Sequence, residues 1–145
     1  MEVIEIDADA THPLRKSVLR DGTRSDRVVF DGDEQASTFH LAVPGDDGPI
    51  GIATWMERRY PDLPALLGYQ LRGMATDPEH RGRGIAAALL TEGVERCAGR
   101  GAQVVWARAR ISALGFYEQH GFEPRGPEYV DTTTGLPHVD IVRLL

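Results

Sequence analysis

The chain has 145 residues, 41% of them apolar and 26% charged, the balance of an ordinary folded domain large enough to bury its own core. A formal net charge of −6 argues against a general nucleic-acid binder, and a lone cysteine, Cys97, excludes an internal disulfide and a multi-cysteine zinc site. Residues 1–7 are acidic and lack the basic and apolar regions of a signal peptide, and no apolar run approaches the roughly 20 residues that span a bilayer. A cytoplasmic protein with neither membrane nor nucleic-acid partner is expected.

Residues 2–6 alternate polar and apolar and predict a short strand. Asp9, Ala10 and Thr11 offer caps for a helix through Leu14, Val18 and Leu19, stopped by Asp21 and Gly22. Residues 25–35 are polar and turn-rich. Strands are predicted over 37–43, with Phe39, Leu41 and Val43 on one face, and over 50–57, joined by the turn 44–49 with its two prolines and two glycines. A loop over 58–64 leads to a strand over 68–76.

A glycine-rich turn follows, and then the strongest helical pattern of the chain. Ala86, Leu90, Val94 and Cys97 form one stripe, while Glu92 and Arg96 sit four apart on the other side in the favourable order. Gly99 and Gly101 end this helix. Residues 103–108 hold a near-continuous apolar run suited to a central strand. A short helix over 111–119 closes at Gly121, and extended segments over 122–130 and 136–145 flank a turn at 131–135. The order predicts an α+β fold, a mixed and mostly antiparallel central sheet with one parallel β-α-β unit over 68–108.

The turn is the stretch most suited to bind something. Gly82 and Gly84 let the backbone approach a ligand closely, and the helix after them presents unpaired N–H groups and the positive end of its dipole, a site for a phosphate. Gly82-x-Gly84-x-x-Ala87 also satisfies the loose dinucleotide-binding pattern. Its context does not: the turn comes mid-chain, several residues after its strand, and residues 99–108 hold no Asp or Glu. The absence of G-K-[ST] excludes a P-loop.

Over a longer window, Met74-Ala75-Thr76-Asp77-Pro78-Glu79-His80-Arg81-Gly82-Arg83-Gly84-Ile85-Ala86 resembles motif A of the GNAT N-acetyltransferases, with the [RQ]-x-x-G-x-[GA] core at Arg81, Gly84 and Ala86. Ala113-Leu114-Gly115-Phe116-Tyr117-Glu118-Gln119-His120-Gly121-Phe122 resembles that family's A-x-x-F-Y-x-x-x-G-F segment. Leu136-Pro137-His138-Val139 and residues 15–19 resemble its ElaA-like branch. The resemblance covers the whole chain as one domain, 1–145, and is specific from Met74 to Phe122.

It implies the acyl-CoA N-acyltransferase fold, acetyl-CoA as cosubstrate, an amine as acceptor, no metal, and a homodimer as a frequent arrangement. The cofactor would lie in a cleft opened by splaying of strands 68–76 and 103–108. Its pyrophosphate would meet the backbone of Arg81, Gly82, Arg83, Gly84, Ile85, Ala86 and Ala87, with the two arginines adding charge. Its pantetheine arm would pair with Met74, Ala75 and Thr76, and the Met74 N–H would face the thioester carbonyl. Tyr117 would protonate the departing thiolate.

Two positions depart from the family pattern. Where many relatives carry an asparagine that contacts pantetheine, this chain has Arg110, which could bind phosphate instead. Where relatives often carry a glutamate base, the strand shows Gln70 and Arg72. The proton acceptor is then to be sought at His138, His40, Glu34 or a water chain, and His138 on the last hairpin is the one named. The cluster Asp31, Asp33, Glu34 and His40 matches no metal-binding spacing, and its acids read as a turn. The acidic loops favour a cationic acceptor amine. A non-catalytic acyl-CoA-binding module is the alternative to an enzyme.

Overall fold

The computed structural model describes residues 1–23 and 25–145. Its frame is one seven-stranded sheet of β1 (Ile4–Ile6), β2 (Phe39–Gly45), β3 (Gly48–Glu57), β4 (Gly68–Thr76), β5 (Val104–Arg110), β6 (Glu123–Val130) and β7 (Pro137–Leu144), in the order β1-β2-β3-β4-β5-β7-β6. Every neighbouring pair is antiparallel except β4 and β5. This is the mixed sheet with one parallel β-α-β unit expected from the element order. No helix among the described residues is long and apolar enough to cross a membrane.

Strand alternation divides the sheet into two faces. On one lies the main core, where Leu41, Trp55, Tyr69, Leu71, Val105 and Ile141 pack against α2 (Ile85–Gly99) and α3 (Leu114–Glu118). The buried stripe of α2 is Ile85, Leu89, Leu90, Val94 and Cys97, wider than the expected one, with Ala86 only half-buried. On the other side of α2, Arg96 Nε donates to Glu92 Oε1 at 3.0 Å, the expected i, i+4 pair. The opposite sheet face carries two small apolar clusters, Leu14–Ala42–Ile52–Ala75 and Tyr60–Val104–Trp106–Val142. Between them stand polar residues paired across the strands, Thr54 with Arg72, Arg108 with Asp140 and Arg110 with His138.

The N-terminal helix departs from expectation. Its turns are a 3-10 segment Ala8–Thr11 capped by Asp7, an α-turn α1 (His12–Leu14), and a wide π-type turn Arg15–Leu19. Asp7 accepts from the Ala10 N–H at 3.1 Å, so the capping residue precedes the three named from the sequence. A tertiary ion pair accounts for the irregular winding. Arg15, wholly buried, donates from Nη1 to Asp33 Oδ2 at 2.7 Å and from Nη2 to Asp33 Oδ1 at 3.0 Å. Nη2 also reaches Thr54 Oγ1 at 2.8 Å. A regular helix optimises its own ladder, and here an interior ion pair decides where Arg15 must point.

The same network fixes the segment before β2. His40 Nε2 lies 3.1 Å from the Asp33 carbonyl, which only accepts, so Nε2 carries hydrogen; Nδ1 then accepts from the Thr54 hydroxyl at 2.7 Å. Asp33 Oδ2 also accepts from the Phe30 N–H at 2.9 Å. Burial alone would raise the Asp33 carboxyl, but the hydrogen bonds from Arg15 and Phe30 outweigh it and hold its pKa below the usual value. Asp31, Asp33 and Glu34 therefore lie in a turn anchored through Asp33 by Arg15, with His40 beside it on β2.

Candidate active site

The parallel ladder between β4 and β5 holds at only three pairs, Gly68–Val104, Tyr69–Val105 and Gln70–Trp106. Beyond them β4 runs on to Thr76 and β5 to Arg110 without pairing each other, and the sheet opens. The gap lies in a cleft of about 1210 Å³ that reaches both faces, from α2 and Tyr117 on one to Phe30 and Arg58 on the other.

A bulge in β4 sits at its centre. Pairing with β3 steps from Thr54–Arg72 to Ile52–Ala75, so Gly73 and Met74 together oppose the single residue Ala53. Gly73 has φ +64°, the left-handed region, and a Cβ there would lie 2.8 Å from Phe30 Cε2. Both facts demand glycine. The extra residue turns the Met74 backbone out of the regular ladder at the splay.

β4 leads into Asp77, whose side chain accepts from the Glu79 N–H at 3.0 Å and forms the 3-10 turn Pro78–His80. The chain then enters α2 through Gly84 at φ +79°, and no side chain caps the first turn. The leading N–H groups of this helix, 15 residues long, are thus left to solvent or to a ligand.

The structure gathers nearly all of the sequence-predicted site residues into the one cleft. Met74, Ala75, Thr76, Arg81, Gly82, Gly84, Ile85, Ala86, Ala87, Arg110, Tyr117 and His138 line it. Arg83 is exposed and outside the lining. Arg110 is engaged on the face away from α2, where Nη2 donates to the Leu19 carbonyl at 2.7 Å.

Tyr117 packs edge-on between Phe116 and Phe122, ring centroids 5.3 and 5.7 Å away. Burial raises its phenol well above the ordinary value, so it stays protonated across neutral pH. His138 is buried on β7, with Nδ1 at 2.9 Å from the Leu136 carbonyl. Nδ1 therefore carries hydrogen, and the lone pair of the uncharged ring lies on Nε2. The other two candidate bases are elsewhere: His40 belongs to the Arg15–Asp33 network, and Glu34 is exposed and not in the lining. Burial pushes the Cys97 thiol, on the core side of α2, up to about 12 and leaves it unreactive. Among the described residues no group of three His, Cys, Asp or Glu is placed to hold a metal ion.

Phe30, Arg58, Trp106 and Arg108 also line the cleft and were not singled out from the sequence. A signal was present for two of them. Trp106-Ala107-Arg108-Ala109-Arg110 alternates with period two, which puts the tryptophan and both arginines on one face of β5. Phe30 and Arg58 come from irregular segments, where no period marks a face.

Known proteins share this fold. The family described as the acetyltransferase (GNAT) domain matches residues 35–124. The uncharacterized N-acetyltransferase YitI of Bacillus subtilis (strain 168) is 30% identical over 129 residues, 89% of this chain and 87% of its own. Among solved structures, Escherichia coli ElaA matches with a TM-score of 0.80 at 17% identity, over 99% of both chains. An aminoglycoside 6′-N-acetyltransferase complexed with coenzyme A matches with a TM-score of 0.75 at 13% identity, over 99% of this chain and 97% of its own. These two likenesses are of fold. Taken with the glycine turn, the splayed strands and the domain match, they mean that the chain belongs to the GNAT acetyltransferase family and is an acyltransferase.

Proposed function

We propose that the chain transfers an acetyl group from acetyl-CoA directly to a primary amine, with residues 1–145 acting as one catalytic domain. The observation that carries this reading is the meeting, in one cleft, of the uncapped start of α2, the Met74 bulge and Tyr117. The donor set suits acetyl-CoA. Backbone N–H groups over residues 81–87 and the dipole of α2 would hold the pyrophosphate, with Arg81 adding charge. The amide-rich pantetheine arm would run along Met74, Ala75 and Thr76, which have no β5 partner.

The neutral amine nitrogen attacks the thioester carbonyl carbon. A C–N bond forms, and the carbonyl oxygen gains negative charge that the Met74 N–H stabilises. The C–S bond then breaks. The proton lost by nitrogen passes to His138 Nε2 and on to solvent, and the sulfur takes the Tyr117 proton, which solvent restores. The products are the acetamide and free CoA. Titration calorimetry with acetyl-CoA, paired with a thiol-release assay over a panel of amines, tests this. Binding together with amine-dependent thiol release is the expected result. Binding without release on any amine would instead favour a non-catalytic acyl-CoA-binding module.

A further inference from the structure

The acceptor end of the cleft is basic, although the chain as a whole is acidic. Phe30, nearly buried and packed on Gly73, serves as a platform for guanidinium groups: Arg15 lies 3.8 Å from its ring centroid, Arg72 4.6 Å and Arg20 5.4 Å. Arg58 and Arg108 line the same region. Arg15 has Asp33. Among the described residues, Arg20, Arg58, Arg72 and Arg108 form no salt bridge.

Asp31, Asp131 and Asp140 are held by other donors. Asp31 takes Arg27 at 2.9 Å, Asp131 accepts from the Thr134 N–H and hydroxyl, and Asp140 accepts from Tyr60 at 2.9 Å and Tyr129 at 2.7 Å. Burial, followed by the charges of Arg58 and Arg15, pulls the Arg72 pKa down to about 10. In the same lining Gln70 is only 4% exposed, and its Oε1 has no hydrogen-bond partner among the described residues. A buried acceptor without a donor and several cations without an anion describe one missing molecule.

The phosphates of a CoA ester do not reach this group. Arg72 precedes Thr76 by four residues of β4, about 13 Å of extended chain, on the far side of Met74 from the glycine turn. Arg58 lies farther still, just past the Glu57–Tyr69 pair, about 23 Å along the strand from Thr76. Arg72 and Arg108 also stand on the sheet face opposite α2. The acidic loops favoured a cationic acceptor, but the lining of the cleft at Arg58, Arg72 and Arg108 has the opposite sign.

We propose that the acceptor is an amine that also carries a carboxylate or phosphate group, its anion held by Arg72 with Arg58 and Arg108 so that its nitrogen is directed toward Met74 and His138. A guanidinium grips either anion through paired N–H donors, so the shared chemistry is an oxyanion close to a primary amine. The assignment deepens the acetyl-transfer reading and rests on it for chemistry: nitrogen still forms the C–N bond, sulfur still leaves as the thiol, and the oxyanion only positions the nitrogen.

Matched pairs test it, in thiol release at saturating acetyl-CoA: L-phenylalanine against phenethylamine, L-lysine against cadaverine, and O-phosphoethanolamine against ethanolamine. The anionic member is expected to exceed its partner in kcat/KM by roughly 100-fold, the scale of one or two charge-assisted hydrogen bonds. Whether the carboxylate or the phosphate pair shows it names the oxyanion. Arg72→Gln, or Arg108→Gln should the first not fold, is expected to raise the KM for the anionic acceptor roughly tenfold while the Kd for acetyl-CoA holds. Equal or better turnover of the amines lacking the anion overturns the proposal. So does an Arg72→Gln protein that loses acetyl-CoA affinity with its acceptor KM unchanged. Should no amine be acetylated, the same acids are tested for raising the Tm of the acetyl-CoA-saturated protein. An Arg72-dependent rise keeps the anion site and discards the acetyl-transfer reading; no rise discards the site as well.

Discussion

Tyr117 and His138 are placed so that each can do one thing. The phenol is buried, protonated and turned into the cleft, and burial alone accounts for its raised pKa. With no hydrogen bond contributing to that shift, removing the hydroxyl has little effect on the fold. Tyr117→Phe is therefore expected to lower kcat on the order of 100-fold with Tm unchanged, which separates a proton donor from a core aromatic in steady-state kinetics and a thermal melt. His138 offers Nε2 because its Nδ1 hydrogen is committed to the Leu136 carbonyl. His138→Gln is expected to lower kcat/KM on the order of 100-fold with the Kd for acetyl-CoA held, and an unchanged kcat/KM would assign the proton to solvent.

At the scale of the element, β4 does the most. Its first three residues pair with β5 and continue the sheet, while its last six form the edge of the cleft. The bulge lies within the cleft edge and sets the Met74 backbone, with Gly73 packed against Phe30. Gly73→Ala must force a side chain into φ +64° and against Phe30. A loss of about 2–4 kcal/mol in urea unfolding is expected from the two costs together, along with a fall in kcat beyond what reduced folding explains. α2 contributes in another way: its core stripe secures it to the sheet, so its N-terminus stays aimed at the gap.

At the scale of the molecule, the Arg15–Asp33 pair joins the N-terminal helical segment, the turn before β2 and the centre of β3 through Thr54. The Asp33 pKa is depressed in the fold, so its contribution is complete above the unfolded value near about 3.9 and is lost as pH falls through the folded one. Asp33→Asn leaves Arg15 charged and buried with a poorer partner. A destabilisation of about 3–5 kcal/mol at pH 7 is expected. The difference between wild type and variant in urea melts should narrow as pH falls below about 4, and a pH-independent difference would locate the effect in packing.

Local chemistry was enough to read much of this from the sequence. The α2 stripe, the glycine turn and the alternation of β2 and β3 each follow from neighbours within a few residues, and period and turn residues report such neighbours directly. The residues proposed for the site from Met74 to Tyr117 were named through the resemblance to the GNAT family, whose two motifs each lie within one short stretch of chain. The irregular winding of residues 8–19 was not legible, because Arg15 answers to Asp33, eighteen residues away. Nor was the sign of the acceptor wall. Net charge sums the whole surface, whereas a cleft has the charge of the few side chains that strand register and packing turn inward. The sequence by itself determined the α+β order and the glycine turn that opens α2, since both follow from residues close together in the chain. Only tertiary structure decided that Gln70, Arg72 and Arg108 share one sheet face and that Phe30 packs against Arg72, because their proximity comes from pairing between strands and a segment far apart in the chain.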